Sequence, residues 1–375
     1  MINNFLLLPI GAALALVWAN VAAESYFRVA LALRFAVNDI GMVFFVGLVT
    51  EEVIEAVRPG GTLHHWRRTL LPVAAAVGGT LGSVAVYLAF VHSYGEFRLL
   101  RGWPVAAAQD VAFAYLIARL IFPRRRGPVA FLLAVAIVSN ALGILSIAIW
   151  FPEPGAYPIG LFLMAAAVLM AALLRFMGTN AIWPYLVTSG AVSWLACYWS
   201  GIQPALALVP IVPFLPHRPR ALDASADRPD DQRLPQRRFE HIFKYPVQVV
   251  LFLFGLVNGG VLLTAGMTGA WAVLTAALVG RPVGILVASG LAVMAGLRLP
   301  AHLRWRELVV VSLAASAGFS FALFFATAVV PPGPHLSDLK LGALSTVAGA
   351  LVAIAAGRLL HVGRFGRRPP QAATA

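Results

Sequence analysis

The sequence predicts an all-α polytopic membrane protein with twelve transmembrane helices. Hydrophobic residues make up 60% of the 375 positions and charged residues only 11%, more apolar surface than a soluble domain could bury. Apolar stretches of roughly 17 to 25 residues recur along the chain, the length at which a helix spans a bilayer core. The short alternating segments typical of a β-barrel are absent.

Twelve apolar stretches are long enough to be spans, and short polar connections separate most of them. The predicted spans are 5–23, 35–50, 69–91, 104–122, 129–150, 157–175, 181–197, 200–216, 245–267, 270–290, 307–330 and 339–360. The first stretch is as long as the others and lacks a basic leader, so we expect a retained span and not a cleaved signal.

Basic residues are distributed unequally between the two sets of alternating connections, and the asymmetry is about fourfold. Because the side rich in arginine faces the cytoplasm, both termini and residues 217–244 are predicted to be cytoplasmic. The net charge of +13 is therefore a signal of topology. Nucleic acid is not an expected partner, since the basic residues are scattered over many short loops.

The domain organisation follows from one long polar connection. Residues 1–216 form a first membrane domain with spans one to eight, and residues 245–362 a second with spans nine to twelve. Residues 217–244 are polar, mix both charge signs and predict a flexible linker. Residues 363–375 are expected to be a disordered tail.

Two charged residues lie near the centres of predicted spans, Asp110 and Arg281. Insertion scales place the cost of such a charge at about 2.5–3.5 kcal/mol, so each needs a partner or a function. Pro104 precedes Asp110, and residues 316–320 combine Ser316, Gly318 and Ser320 in mid-span. Both stretches are candidates for interrupted helices, although glycine and serine also mediate ordinary close packing of helices.

The chain resembles the NhaA-type sodium/proton antiporters over nearly its whole length. Six ordered segments carry the resemblance: NDIGMVFFVGLVTEEV, WPVAAAQDVAFAYLIARLI, SGIQPALALVPIVPFLP, RRFEHIFKYPVQVVLFLFGLVNGGV, LVGRPVGI and SAGFSFALFFATAVV. The resemblance implies twelve helices in inverted repeats, with the fourth and eleventh spans discontinuous and crossing at the membrane midplane. It also implies a multi-pass protein of the bacterial inner membrane.

The fifth span departs from the family pattern. Where the family has two adjacent aspartates, this chain has Ser139 and Asn140 in AIVSNALGI, and the family's tenth-span lysine is Arg281. The threonine before the fourth-span aspartate is Gln109, and the histidine of the Ser-Gly-Val-His segment is Gln203. Serine and asparagine offer oxygen ligands without charge, and arginine does not release a proton in proteins.

These residues form the predicted ion site or core: Asp110, Arg281, Ser139, Asn140 and Gln109. Asp110 and Arg281 are expected to pair and to balance the ends of the broken helices. Ser139 and Asn140 have the alternative of simple hydrogen bonding between helices.

Three further positions, Asp39, Glu52 and Gln203, are candidates for a funnel or gate. No catalytic group, metal site or cofactor is expected, because the sequence has no nucleotide-binding loop, catalytic triad or metalloprotease motif.

The resemblance predicts a sodium/proton antiporter homologue, not an enzyme, that acts in ion transport and regulation of pH. Its partners would be membrane lipid, sodium or lithium, protons and, as an open possibility, a second copy. The departures predict a site impaired for ordinary sodium exchange. Two alternatives stay open: a transporter of an anionic or neutral substrate, and a non-transporting scaffold or regulatory protein with the same fold.

Overall fold

A computed structural model describes seven ranges of the chain. They are 7–58, 66–123, 126–152, 158–215, 235–263, 267–300 and 303–365. Within them the regular structure is entirely helical, as an apolar chain requires when water cannot satisfy its backbone groups. Residues 217–234 of the predicted linker and 366–375 of the predicted tail lie outside these ranges.

The described residues of the first half of the chain form ten α-helices. They are α1 (Leu7–Val21), α2 (Ala23–Arg34), α3 (Met42–Val57), α4 (Trp66–Ser93), α5 (Trp103–Ala107), α6 (Val111–Ile121), α7 (Arg126–Trp150), α8 (Pro158–Phe176), α9 (Ile182–Pro184) and α10 (Ala191–Trp199). Wider π-helical turns over Phe35–Gly41 and Tyr185–Gly190 join α2 to α3 and α9 to α10.

The described residues of the second half form seven more. They are α11 (Pro235–Asn258), α12 (Thr268–Thr275), α13 (Arg281–Met294), α14 (Trp305–Ala314), α15 (Phe319–Val329), α16 (Pro334–Ser345) and α17 (Ala348–Leu359). A π-helical turn over Ala276–Gly280 joins α12 to α13 and ends directly before Arg281.

Six continuous helical stretches among the described residues are long and apolar enough to cross a membrane. They are Ala23–Val57, Thr69–Ser93, Gly127–Trp150, Ile159–Phe176, Thr268–Met294 and Pro334–Phe365. The number rises to eight when two sharply bent helix pairs are each counted as one span. The chain is therefore a multi-pass helical membrane protein, and the full number of twelve spans stays a prediction.

Three predicted spans are wrong in detail. The span predicted at 35–50 is longer at both ends, since the helical stretch runs from Ala23 to Val57. Residues 200–215 form short 3₁₀ turns at Pro204–Leu206 and Val212–Phe214 in place of a continuous helix, because repeated prolines remove backbone donors. The span predicted at 245–267 begins earlier and ends earlier, since α11 runs from Pro235 to Asn258. The last ten residues of the predicted linker are thus helical.

Close contact between α4 and α13 positions Arg281 in the interior. A Cβ atom added at Gly280 would lie 2.5 Å from the carbonyl oxygen of Gly82, and one added at Gly82 would lie 2.4 Å from that of Gly280. The two backbones therefore touch, as small residues permit where helices cross in membranes. Arg281 follows directly at the start of α13.

Candidate functional site

The two bent helix pairs meet at their breaks. The axis turns by 52° between the Phe97–Ala107 segment and α6, and by 48° between α14 and α15. The amide of Asp110 donates to the carbonyl of Ala317 at 3.0 Å. A Cβ atom at Gly318 would lie 2.5 Å from the carbonyl oxygen of Ala108, so the crossing requires glycine there. The predicted interruptions are therefore present, and they contact each other.

Asp110 accepts hydrogen bonds from the amino-terminal ends of both second half-helices. Its Oδ1 accepts from the backbone amides of Ala112 and Phe113, each at 3.0 Å, and so caps α6. Its Oδ2 accepts from the backbone amide of Ser320 at 3.1 Å and from the Ser320 hydroxyl, at the start of α15. One carboxylate thus faces two positive helix ends, an arrangement that stabilises its charge.

Arg281 contacts a helix end of the opposite, negative polarity. Its side chain is 1% exposed. Nη2 donates to the carbonyl of Ala106, at the carboxyl end of α5, and Nη1 donates to Oε1 of Gln109, both at 3.2 Å. Because the carboxyl end of a helix carries partial negative charge, the guanidinium complements the first half-helix.

The direct pairing expected for Asp110 and Arg281 is not formed. In the part of the chain that the structure describes, no ion pair joins them. Arg281 donates instead to the side chain of Gln109, the residue before Asp110. Each charge is instead bound to groups of a helix end. The physical reason is that the two breaks already provide oriented backbone dipoles of both signs.

The polar pair of the fifth span, one hydroxyl and one amide, lies inside the bundle on α7. Ser139 and Asn140 are both buried. One turn later, a Cβ atom at Gly143 would lie 2.5 Å from the ring of Phe325 on α15, so this part of α7 packs against the second broken helix. Neither the Nδ2 nor the Oδ1 atom of Asn140 has a hydrogen-bond partner among the described residues. Hydrogen bonding between helices therefore does not explain Asn140 there.

Unpartnered polar atoms occur on both Arg281 and Gln109 and also on α4. Within the described ranges, hydrogen-bond partners are missing for Arg281 Nε, Gln109 Nε2, Ser83 Oγ and Thr80 Oγ1. Sequence reasoning missed Thr80 and Ser83, which are ordinary small polar residues in the glycine-rich stretch GGTLGS of α4. The contact between α4 and α13 brings the backbone of Ser83 close to Gly280, the residue before Arg281.

The three predicted funnel residues occupy other positions. Asp39 is half-buried in the Phe35–Gly41 turn, and its backbone carbonyl accepts from Trp194 Nε1 at 2.7 Å. Glu52 is half-buried on α3, and Gln203 is half-buried just before the Pro204–Leu206 turn. Their role in a funnel or gate stays a prediction.

The chemistry of the crossing differs from that of a cation site built from several carboxylates. The described residues contain no group of three or more His, Cys, Asp or Glu side chains that could hold a metal ion. The groups around the crossing are one saturated carboxylate, one guanidinium and neutral amides and hydroxyls.

Comparison with known proteins agrees with this architecture. The family model described as Na+/H+ antiporter 1 matches residues 3–360. The Na(+)/H(+) antiporter NhaA of Desulfitobacterium hafniense is 38% identical over 366 residues, which cover 95% of this chain and 94% of the relative. The Na(+)/H(+) antiporter NhaA of Geobacter metallireducens is also 38% identical, over 365 residues that cover 95% of each chain.

A solved structure gives independent support for the fold. The sodium proton antiporter MjNhaP1 from Methanocaldococcus jannaschii, at pH 8, superposes with a TM-score of 0.55 and is 14% identical. The match covers 97% of this chain and 92% of that one. At this identity the likeness concerns the fold.

Proposed function

The chain belongs to the NhaA-type Na+/H+ antiporter family, a family of ion transporters and not of enzymes, and we propose that it does not carry out ordinary sodium/proton exchange. The relatives are named for sodium and protons. For this chain we propose that the transport architecture is kept while the cation site is impaired. The inverted repeats, the twelve spans, the crossing at the midplane and the cytoplasmic termini belong to the same proposal.

The saturation of Asp110 carries the proposal. A carboxylate has about four lone-pair positions, and the two oxygens of Asp110 accept from Ala112, Phe113 and, twice, Ser320. A sodium ion would have to displace at least one helix-capping contact to gain this ligand. Both half-helix ends would then lose part of their compensating charge.

The neighbouring groups do not supply the missing negative charge. Ser139, Asn140 and Gln109 are neutral, and Arg281 carries a positive charge that arginine retains in proteins. A dehydrated cation needs oxygen ligands and charge compensation together. The formal sum over Asp110 and Arg281 is zero, so a cation here would lose hydration without compensation.

Proton exchange also lacks the two carboxylates that the family pattern has in the fifth span. Antiport requires groups that bind protons and cations competitively, and the hydroxyl of Ser139 and the amide of Asn140 do not titrate at physiological pH. A lysine at position 281 could release a proton if burial lowered its pKa, whereas arginine stays charged.

Sodium-dependent fluorescence dequenching in everted vesicles from an antiporter-deficient host tests the proposal. The unmodified chain should give little or no signal, while the Desulfitobacterium hafniense relative serves as the positive control. Ser139→Asp, Asn140→Asp and Arg281→Lys together restore the family charge pattern and should restore a sodium or lithium response. Robust dequenching by the unmodified chain would overturn the proposal.

A triple variant that is folded but silent would also count against the assignment to the lost carboxylates. Its folding is checked by a monodisperse gel-filtration peak and by its unfolding midpoint in detergent. In that case Gln109, which replaces the family's threonine, becomes the next residue to change.

A further inference from the structure

Two of the polar atoms that lack partners belong to residues that contact each other, Arg281 and Gln109. Nη1 of Arg281 donates to Oε1 of Gln109 at 3.2 Å. On the α4 side, a Cβ atom at Gly79 would lie 3.6 Å from Cγ of Arg281, and one at Gly280 would lie 2.9 Å from Cα of Ser83. The glycine-rich face of α4 therefore packs along the aliphatic part of the Arg281 side chain.

Both orphan groups are donors. Arg281 Nε and Gln109 Nε2 can only donate. Gln109 has no exposed surface and Arg281 is 1% exposed. An unpaired buried donor costs about 1–3 kcal/mol, so the two together call for a common acceptor.

The positive charge of Arg281 also calls for an acceptor, one that carries negative charge. Its two hydrogen bonds within the described ranges go to neutral oxygens, those of Gln109 and Ala106. The α5 helix has only five residues, so the partial negative charge at its end is a weak counterion. Asp110 is occupied by the two amino-terminal helix ends and contributes no ion pair.

We propose that Nε of Arg281 and Nε2 of Gln109, the two unpartnered donors beside the glycine-rich face of α4, together bind one small monovalent inorganic anion, such as chloride or nitrate. This inference deepens the proposed function, because it rests on a crossing that no longer binds a cation. One fixed positive charge selects a monovalent ligand. Converging donors select a ligand that only accepts hydrogen bonds, whereas a water molecule would bring two donors of its own.

Thermal unfolding of the purified chain in detergent tests the site at constant ionic strength. Choline gluconate is replaced stepwise by choline chloride or choline nitrate, so that only the anion changes. We expect a saturable rise of the midpoint, about 2 °C at roughly ten times the dissociation constant. Equal midpoints in gluconate, chloride and nitrate would overturn the proposal.

Gln109→Glu is the decisive variant because it should keep the fold. The new carboxylate retains the acceptor for Arg281, supplies a fixed counter-charge and removes the orphan amide donor. The variant should lose the chloride response, and Arg281→Met should lose it as well. A chloride response that persists in Gln109→Glu would place the anion elsewhere.

Arg119→Met is the matched control for loss of an arginine. Arg119 is exposed on α6 and donates to the Tyr115 hydroxyl at 2.9 Å, outside the proposed site. Its chloride response should equal that of the unmodified chain, and a loss there would show that the response reports surface charge.

A separate arm compares sodium gluconate with choline gluconate and isolates the cation. A sodium response would contradict the proposed function and leave the anion result readable, whereas a missing chloride response would contradict only the anion site.

Discussion

At the first break the end of α5 contacts the guanidinium of Arg281, whereas at the second break the side chain that contacts the end of α14, among the described residues, is a hydroxyl. Ser316 Oγ donates to the carbonyl of Leu313 at 2.6 Å, and the amide of Gly318 donates to Oγ1 of Thr346 at 3.3 Å. The second break therefore has neutral side-chain groups of its own. Its one negative partner, Asp110, comes from the first.

Because of this asymmetry, the two charges differ in the number of helix ends that they stabilise. Asp110 compensates the amino-terminal ends of both α6 and α15, so its loss affects both breaks. Arg281 serves the carboxyl end of one short half-helix. The crossing itself therefore accounts for the charge of Asp110, whereas it supplies Arg281 only with one helix end and the neutral oxygen of Gln109.

The largest expected effect in this comparison belongs to Asp110→Asn. The amide keeps one acceptor, but its NH2 group would face a backbone donor at one of the two helix ends. We expect a loss of roughly 2–4 kcal/mol of unfolding free energy, measured as a lower midpoint in detergent. Asp338→Asn is a matched control, since Asp338 is buried on α16 away from the breaks. Equal losses in both variants would contradict the double-cap role.

A smaller effect is expected for the coupling between the two charges. Since Asp110 and Arg281 bind different helix ends, the losses of Asp110→Asn and Arg281→Met should nearly add, with a coupling energy below about 1 kcal/mol. Unfolding of the two single variants and the double variant in gluconate measures it. A coupling of about 3–5 kcal/mol, the range for removing one partner of a buried ion pair, would restore the direct pairing.

Apolar length and composition were sufficient to predict helices across most of the chain, because the bilayer imposes a physical minimum on a span. They failed at 200–215, where the hydropathy is that of a span but prolines prevent a continuous helix. Hydropathy measures the polarity of side chains and not the loss of backbone N–H donors at proline. Similarly, it did not register that α11 extends back into the polar linker to Pro235.

The sequence named Asp110, Gln109 and Arg281, and the structure brings these three residues to the same pair of helix breaks. Their hydrogen-bond partners could not be predicted, since Ala106 binds Arg281 through its backbone carbonyl and the backbone position follows only from the fold. The roles of all predicted site residues in ion binding, including Ser139 and Asn140, stay predictions.

The smallest effect distinguishes two serines of the second break. Ser320 donates to the Asp110 carboxylate and Ser316 to a neutral carbonyl. Hydrogen bonds to charged groups contribute about 1.5–3 kcal/mol and neutral ones about 0.5–1.5 kcal/mol. Ser320→Ala should therefore lower the unfolding midpoint more than Ser316→Ala. In the Asp110→Asn background, the cost of Ser320→Ala should fall toward that of Ser316→Ala, because the charge is gone. If Ser320→Ala lowers the unfolding free energy equally in the unmodified chain and in Asp110→Asn, the contribution of the Ser320 hydroxyl does not depend on the carboxylate. The charge of Asp110 would then not stabilise the second break through Ser320.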